Sequence, residues 1–255
     1  MATGYPKVLY DNRLKDATPA ASTTDTGYNV LNLRDWRNYT WWKPTALPAT
    51  VTVDCASAKS ADYCAVWGHD LYTQGATIEV RGSTDNFSAS DVLVATLTPT
   101  SDDPLLIQFA AVSYRYWRLR LTGATMPSLA IAAIGTALEI PAYFSEGFDP
   151  VGRKFNAQFN RSENGNPLGT VLKYKEWENS LKFDLVSGTS GWTWLRDTWD
   201  AAVDAHLSLM PWVLAWDPEG HGSELFLLDP IEQYDAPHKA GQYLDLSFKV
   251  SGLRA

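Results

Sequence analysis

The sequence predicts a mainly β protein: an N-terminal antiparallel β-sandwich, then an α+β domain in which an antiparallel sheet or split barrel carries one helix. Three observations predict this. Short runs with apolar and polar residues alternating recur between residues 50 and 140, the period of half-buried strands. Turn-forming clusters separate them: Gly68-His69-Asp70, Ser83-Thr84-Asp85-Asn86 and Ser101-Asp102-Asp103-Pro104. The period changes to steps of three and four only once, between Ser190 and Leu209.

Residues 1 to about 30 are polar and read as an arm or long loop. An aromatic cluster follows, Trp36, Tyr39, Trp41 and Trp42. In residues 50–55 the valines and Cys55 share one face while Thr and Asp share the other. Residues 63–67 form a short apolar run. Residues 76–82 set Ile78 and Val80 against Thr77, Glu79 and Arg81. Strand-like runs continue at 91–97, 105–109, 114–121 and 128–140. In 114–121, Trp117, Leu119 and Leu121 oppose Tyr116, Arg118 and Arg120. Six to eight such strands without a helix argue for a sandwich.

Pro141 opens a second domain, giving predicted boundaries of 1–140 and 141–255. Residues 154–161 alternate, 163–169 are loop chemistry, and 172–185 hold a further strand or two. The helix is expected over about 191–208, with Ser190 as N-cap and Pro211 as the stop. Its stripe of Trp192, Leu195, Trp199 and Leu207 must be covered, at about 1.5–3 kcal/mol per buried side chain. Residues 212–216 and 224–228 read as a hairpin. Leu244, Leu246, Phe248 and Val250 mark the last strand.

Composition narrows the function. The chain has 255 residues, 45% hydrophobic and 20% charged, with eleven Trp and twelve Tyr. A net charge of −8 repels a phosphate backbone, so nucleic acid is discounted as a partner. Cys55 and Cys64 have no further ligands at zinc spacing, and two small buried apolar residues are the preferred reading over a disulfide. No membrane-spanning run and no signal peptide are expected, which suggests folding in a reducing cytoplasm. No nucleophile elbow, P-loop, zinc-protease or CxxC motif occurs. The four histidines are scattered. Carboxylates are plentiful but unmarked as a glycosidase pair. The chain is therefore expected not to be an enzyme, and to need no cofactor or metal.

Aromatics near strand ends are the better functional signal. A sugar ring stacks its apolar face on an exposed aromatic while polar side chains bond its hydroxyls. The candidate glycan contacts are Trp36, Tyr39, Trp41, Trp42, Asp70, Tyr72 and Asn86, with Trp67 and His69 as further candidates. A Trp at the end of a sandwich more often plugs the core. Arg118 and Arg120 are expected to form a solvated face with cross-strand carboxylate partners.

Several segments carry a resemblance. Leu31-Asn32-Leu33-Arg34-Asp35, Trp41-Trp42-Lys43-Pro44 and Val51-Thr52-Val53-Asp54 resemble the opening of a discoidin (F5/8 type C) domain. Residues 76–87, with Ser83-Thr84-Asp85, resemble its strand and turn. Arg115-Tyr116-Trp117-Arg118-Leu119 is similar to its late strand, and residues 130–139 to its closing one. The match covers roughly residues 28–140. It implies an eight-stranded jelly roll that binds glycans, lipids or proteins through loops at one end. Many members tie their ends with a disulfide, for which Cys55 and Cys64 are wrongly placed.

The second part resembles, more loosely, small domains of bacteriophage distal-tail and tail-tip proteins. The likeness rests on the long helix, Trp212-Val213-Leu214-Ala215-Trp216-Asp217-Pro218, and the closing residues 243–250. In that family the ring domain usually precedes the sandwich; here the order is reversed. The resemblance implies a structural virion component of a tailed phage, at the tail tip or baseplate and made in the host cytoplasm. It further implies other tail proteins as partners, a homo-oligomeric ring (trimer or hexamer), and a jelly roll that is a candidate binder of host surface glycan. The alternatives are a free-standing carbohydrate-binding lectin and a glycan-degrading enzyme of unusual type.

Overall fold

Alternation becomes strand almost everywhere in the chain. The computed structural model describes residues 4–186, 188–240 and 243–254. The protein is mainly β, with antiparallel pairing throughout the registered ladders. It divides into two compact units, Met1–Glu139 with Ala215–Leu225, and Ile140–Leu214 with Phe226–Ala255.

The first unit contains β1 (Lys7–Leu9), β2 (Ala20–Ala21), β3 (Ala49–His69), β4 (Ala76–Ser83), β5 (Val92–Leu97), β6 (Leu105–Gly123), β7 (Leu129–Gly135) and β8 (Leu138–Glu139). The sheet order is β2-β3-β6-β4-β5, with β7 on β3 and β1 paired with β8. Two pairs of predicted strands are in fact single long strands. Residues 50–55 and 63–67 both lie in β3, and 105–109 and 114–121 both lie in β6. The ladder between β3 and β6 continues through a register shift between Asp54 and Lys59. There Ala56 takes φ +61° and its amide donates to Asp54 Oδ1 at 2.8 Å. A bulge of this kind bends a strand without ending it. The front half of the pair carries β2, β4 and β5, and the rear half carries β7. Both halves feed one core, in which Val51, Val53, Cys64, Val66, Trp117 and Ile134 are buried. Cys55 and Cys64 are buried free thiols, each pushed up to about 12, chiefly by burial.

The second unit contains β9 (Lys154–Arg161), β10 (Pro167–Val186), a helix, β11 (Trp212–Ala215), β12 (Leu225–Leu228), β13 (Tyr234–Asp235), β14 (His238–Ala240) and β15 (Tyr243–Arg254). The order is β11-β12-β15-β10-β9, with β13 and β14 also on β15. The helix runs through four stretches: α at Gly188–Trp194, π at Leu195–Trp199, α at Asp200–Ala202 and π at Val203–Leu207. It begins before Ser190, so that residue is not the N-cap; its side chain lies outside the described ones. Leu195, Trp199 and Leu207 are buried as expected, but Trp192 is 55% exposed. Trp192 stands in the first α stretch next to buried Gly191, which takes the covered position one turn before Leu195. Trp199 packs against Phe248, ring centroids 5.0 Å apart, and fixes the helix on the sheet.

Candidate functional site

Four loops gather at one end of the first unit. Trp42 and Leu129 exchange both backbone hydrogen bonds, at 2.8 and 3.0 Å. Leu129 in turn pairs with His69, and the Asp70 amide donates to the Ser128 carbonyl. The ends of residues 35–42, 124–128 and 70–75 are thus lateral neighbours. Two strand spacings, roughly 10 Å, separate the backbones of Trp42 and His69. Asp102 adds the fourth loop. Its Oδ1 accepts from the Tyr72 and Thr73 amides at 2.9 and 3.2 Å, and its Oδ2 accepts from the Thr73 hydroxyl at 2.5 Å.

These loops are held by their own polar side chains. Asp70 Oδ1 accepts from the Ser128 amide at 2.6 Å, and Oδ2 from Gln74 Nε2 at 3.1 Å. The Thr125 hydroxyl lies 2.8 Å from the Gln74 carbonyl and 2.6 Å from its Oε1. Asp35 accepts from the Arg37 amide and the Thr40 hydroxyl, at 2.9 and 3.0 Å. Asn32 Nδ2 donates to the Trp41 carbonyl at 2.8 Å. Asp and Asn in these turns satisfy backbone donors and acceptors that no ladder can reach.

Three aromatics emerge from this scaffold. Tyr39 is 64% exposed, Tyr72 56% and Trp41 39%. A large ring held half out of water on a fixed backbone binds with little side-chain entropy to lose. Exposed Arg37 and Asp103 supply charge at the same end.

Four of the sequence candidates serve otherwise. Trp36 and Trp42 are 2% and 1% exposed, so their faces are closed to a ligand. They plug the end of the sandwich, with Lys15 Nζ 5.8 Å above the Trp36 ring and Trp42 Nε1 donating to the Thr24 hydroxyl at 3.3 Å. Asp70 is spent on clamping the 70–75 loop. Asn86 is at the other end. Strand β4 starts beside the 70–75 loop and runs eight residues to Ser83, roughly 23 Å at about 3.3 Å per residue. There Asp85 accepts from the Ser88, Ala89 and Ser90 amides and closes a turn through Asn86 and Phe87, both at positive φ.

Trp67 and His69 are buried. Burial holds His69 below the usual histidine range, against the opposing pull of the Asp103 backbone and the charges of Asp102, Asp70 and Asp103. At Asp102 burial pushes upward, but the Thr73 hydroxyl and the two amides prevail and hold the carboxyl below its usual range. Of the two strand arginines, Arg120 meets the expected carboxylate, Glu79, at 3.2 Å. Arg118 instead donates to the Thr52 hydroxyl at 2.9 Å and stacks 3.6 Å from the Phe87 ring centroid. In sequence Asp102 is only one member of a turn cluster; its role as the clamp on Tyr72 depends on a contact 30 residues away.

No protein-family model and no curated protein matches the chain. Among solved structures it is similar to the CBM32 of AlyQ in complex with 4,5-unsaturated mannuronic acid, at 25% identity over 49% of this chain and 96% of that one, TM-score 0.40. It is similar to chitosan-binding module 1 derived from a chitosanase/glucanase of Paenibacillus sp. IK-5, at 20% identity over 48% and 97%, TM-score 0.40. It is also similar to the family 32 CBM of Clostridium perfringens NanJ in complex with galactose, at 14% identity over 51% and 98%, TM-score 0.41.

Among the described residues, no three His, Cys, Asp or Glu side chains converge as metal ligands. No helix among them is long and apolar enough to cross a membrane.

Proposed function

We propose that the first unit binds saccharide through Tyr39, Trp41 and Tyr72 without transforming it, and that the second unit joins the chain to a larger assembly. The observation that carries the binding reading is the exposure of these three aromatics on hydrogen-bonded loops at one end of the sandwich. On this reading Trp41 receives the apolar face of a pyranose. The tyrosine hydroxyls, with Arg37 and Asp103, meet its polar edge.

The finer reading is a tail-tip or baseplate component of a tailed phage that touches host surface glycan. It is supported by the sequence resemblance of the second half and by its sheet carrying one packed helix. Two experiments separate the layers. A glycan array probed with the purified chain tests binding; silence across host-type and plant-type saccharides rejects it. Peptide mass spectrometry on purified phage particles tests the virion reading; absence of the chain rejects that reading and leaves a free-standing lectin.

A further inference from the structure

The front half of the first unit's sheet buries Val51, Leu119 and Val80 on its inner face. Its outer face carries charge. Register sets Thr52, Arg118 and Arg81 in one row across β3, β6 and β4, and Thr50, Arg120 and Glu79 in the next. The side chains of both rows share that outer face. Along β4, Arg81 stands five residues past Ala76, roughly 17 Å from the start of the strand at about 3.3 Å per residue. These rows are therefore separate from the aromatic loop end.

The three arginines are unequally paired. Arg81 bonds Glu79 at 2.8 Å and Asp91 at 2.7 Å, and Arg120 bonds the same Glu79 at 3.2 Å. Both carboxylates are thereby taken. Arg118 has a neutral partner instead, donating from Nε to the Thr52 hydroxyl. Among the described residues no carboxylate pairs with it. Burial holds its guanidinium below the usual arginine range, joined by the charges of Arg81 and Arg120 and opposed by that of Asp91. A half-covered cation flanked by two others is unfavourable until an anion joins it.

The plane of this guanidinium is fixed. The Phe87 ring stacks against it. Phe87 reaches that position in a left-handed backbone conformation, φ +62°, directly after Asn86 at +58°. For a bulky side chain such a conformation is strained, and persists only where the surroundings hold it. Buried Ser83 holds it here, its Oγ accepting from the Phe87 amide at 2.8 Å and the Asp85 amide at 3.1 Å. A ring stacked on one face of a guanidinium leaves its terminal N–H groups to donate in the plane, as a fork that matches a carboxylate.

The surroundings fit a sugar that carries one such group. Thr50, Thr52, Thr77 and Thr122 border the arginines on the same face. Three arginines against Glu79 and Asp91 leave a surplus of one positive charge. One carboxylate on an otherwise neutral, hydroxyl-rich ring balances it.

We propose that this sheet face is a second saccharide site, selective for acidic sugars. Arg118 takes the carboxylate of a uronate residue in its plane, and Thr50 and Thr52 meet the ring hydroxyls. The site goes beyond the reading of the loop aromatics and does not depend on it.

Isothermal titration of digalacturonate, dimannuronate and diglucuronate, each beside its methyl ester, tests it on the full chain. The ester keeps the ring and hydroxyls and removes the charge. At least one acid is expected to bind at least tenfold more tightly than its ester. R118K keeps the cation but loses the planar fork; it is expected to lose at least tenfold in affinity for that acid, with its unfolding midpoint unchanged. W41A/Y72A is expected to bind the acid as the native chain does, which separates a failure here from a failure of the loop-end site. In the native chain the Arg118 Nε–Hε resonance is expected to shift with the acid and not with the ester, a readout that decides the matter even if R118K fails to fold. Absence of binding by all three acids overturns the proposal. So do equal affinities for acid and ester, native-like affinity in R118K, or an unmoved Arg118 resonance. Acetate binding as tightly as the uronates overturns the assignment to a sugar.

Discussion

The Tyr72 amide donates to Asp102 Oδ1 at 2.9 Å across 30 residues of sequence. This bond ties the most mobile kind of element, a turn between strands, to a second loop. Asp102→Ala is expected to leave Tyr72 in place in the sequence but free to wander. Because the carboxylate is exposed to water, the loss of stability should stay below about 1 kcal/mol. Saccharide affinity should fall about tenfold through the lost preorganisation. Thermal unfolding alongside a binding titration checks the split.

Trp41 and Trp42 are adjacent in sequence and opposite in environment. Trp42→Ala is expected to cost about 3–5 kcal/mol, as for any large aromatic removed from a core. Trp41→Ala, at a half-exposed position, should cost under about 1 kcal/mol and abolish binding. Urea denaturation of the two variants distinguishes them; equal destabilisation would contradict the assignment.

His69 gives the protein an early response to acid. Its folded pKa lies below the usual 6.5 because burial disfavours the imidazolium more than Asp102, Asp70 and Asp103 favour it. The unfolded chain therefore takes up the proton first. The contribution is fully present above pH 6.5 and declines as pH falls from there towards the folded pKa. The carboxylate Asp102, held below 3.8, acts only at lower pH. The midpoint of thermal unfolding is expected to drop between about pH 7.5 and 5.5 in the native chain and to stay flatter in His69→Gln.

Gly135 admits no side chain. A Cβ there would sit 2.0 Å from the Asp11 carbonyl oxygen, and backbone cannot swing aside as a flexible side chain can. Gly135→Ala is expected to destabilise the first unit by about 1–3 kcal/mol or more, measured by chemical denaturation.

Much of this fold is legible in the sequence because period-two alternation needs only neighbouring residues. Phe155, Ala157 and Phe159 alone bound the strand Lys154–Arg161 correctly. The merging of strands into β3 and β6 is not legible, because a bulge at Ala56 looks in sequence like a break. Trp192 is misplaced because steps of three and of four before Leu195 are both helical, and packing covers Gly191 and leaves Trp192 out. At the candidate site, alternation and turn chemistry locate the right loops. They do not say which aromatics turn inward. Trp36 and Tyr39 are both loop aromatics, and only tertiary packing buries one and leaves the other out. Asn86 shares turn chemistry with Tyr72, yet the direction of β4 puts those turns at opposite ends.

The most direct test is isothermal titration of an array-selected oligosaccharide into the native chain and into the W41A/Y72A double variant. The expected result is measurable binding to the native chain and at least a tenfold loss in the variant, with unfolding midpoints unchanged. Equal affinity in the two proteins would contradict the placement of the binding site at this end of the sandwich.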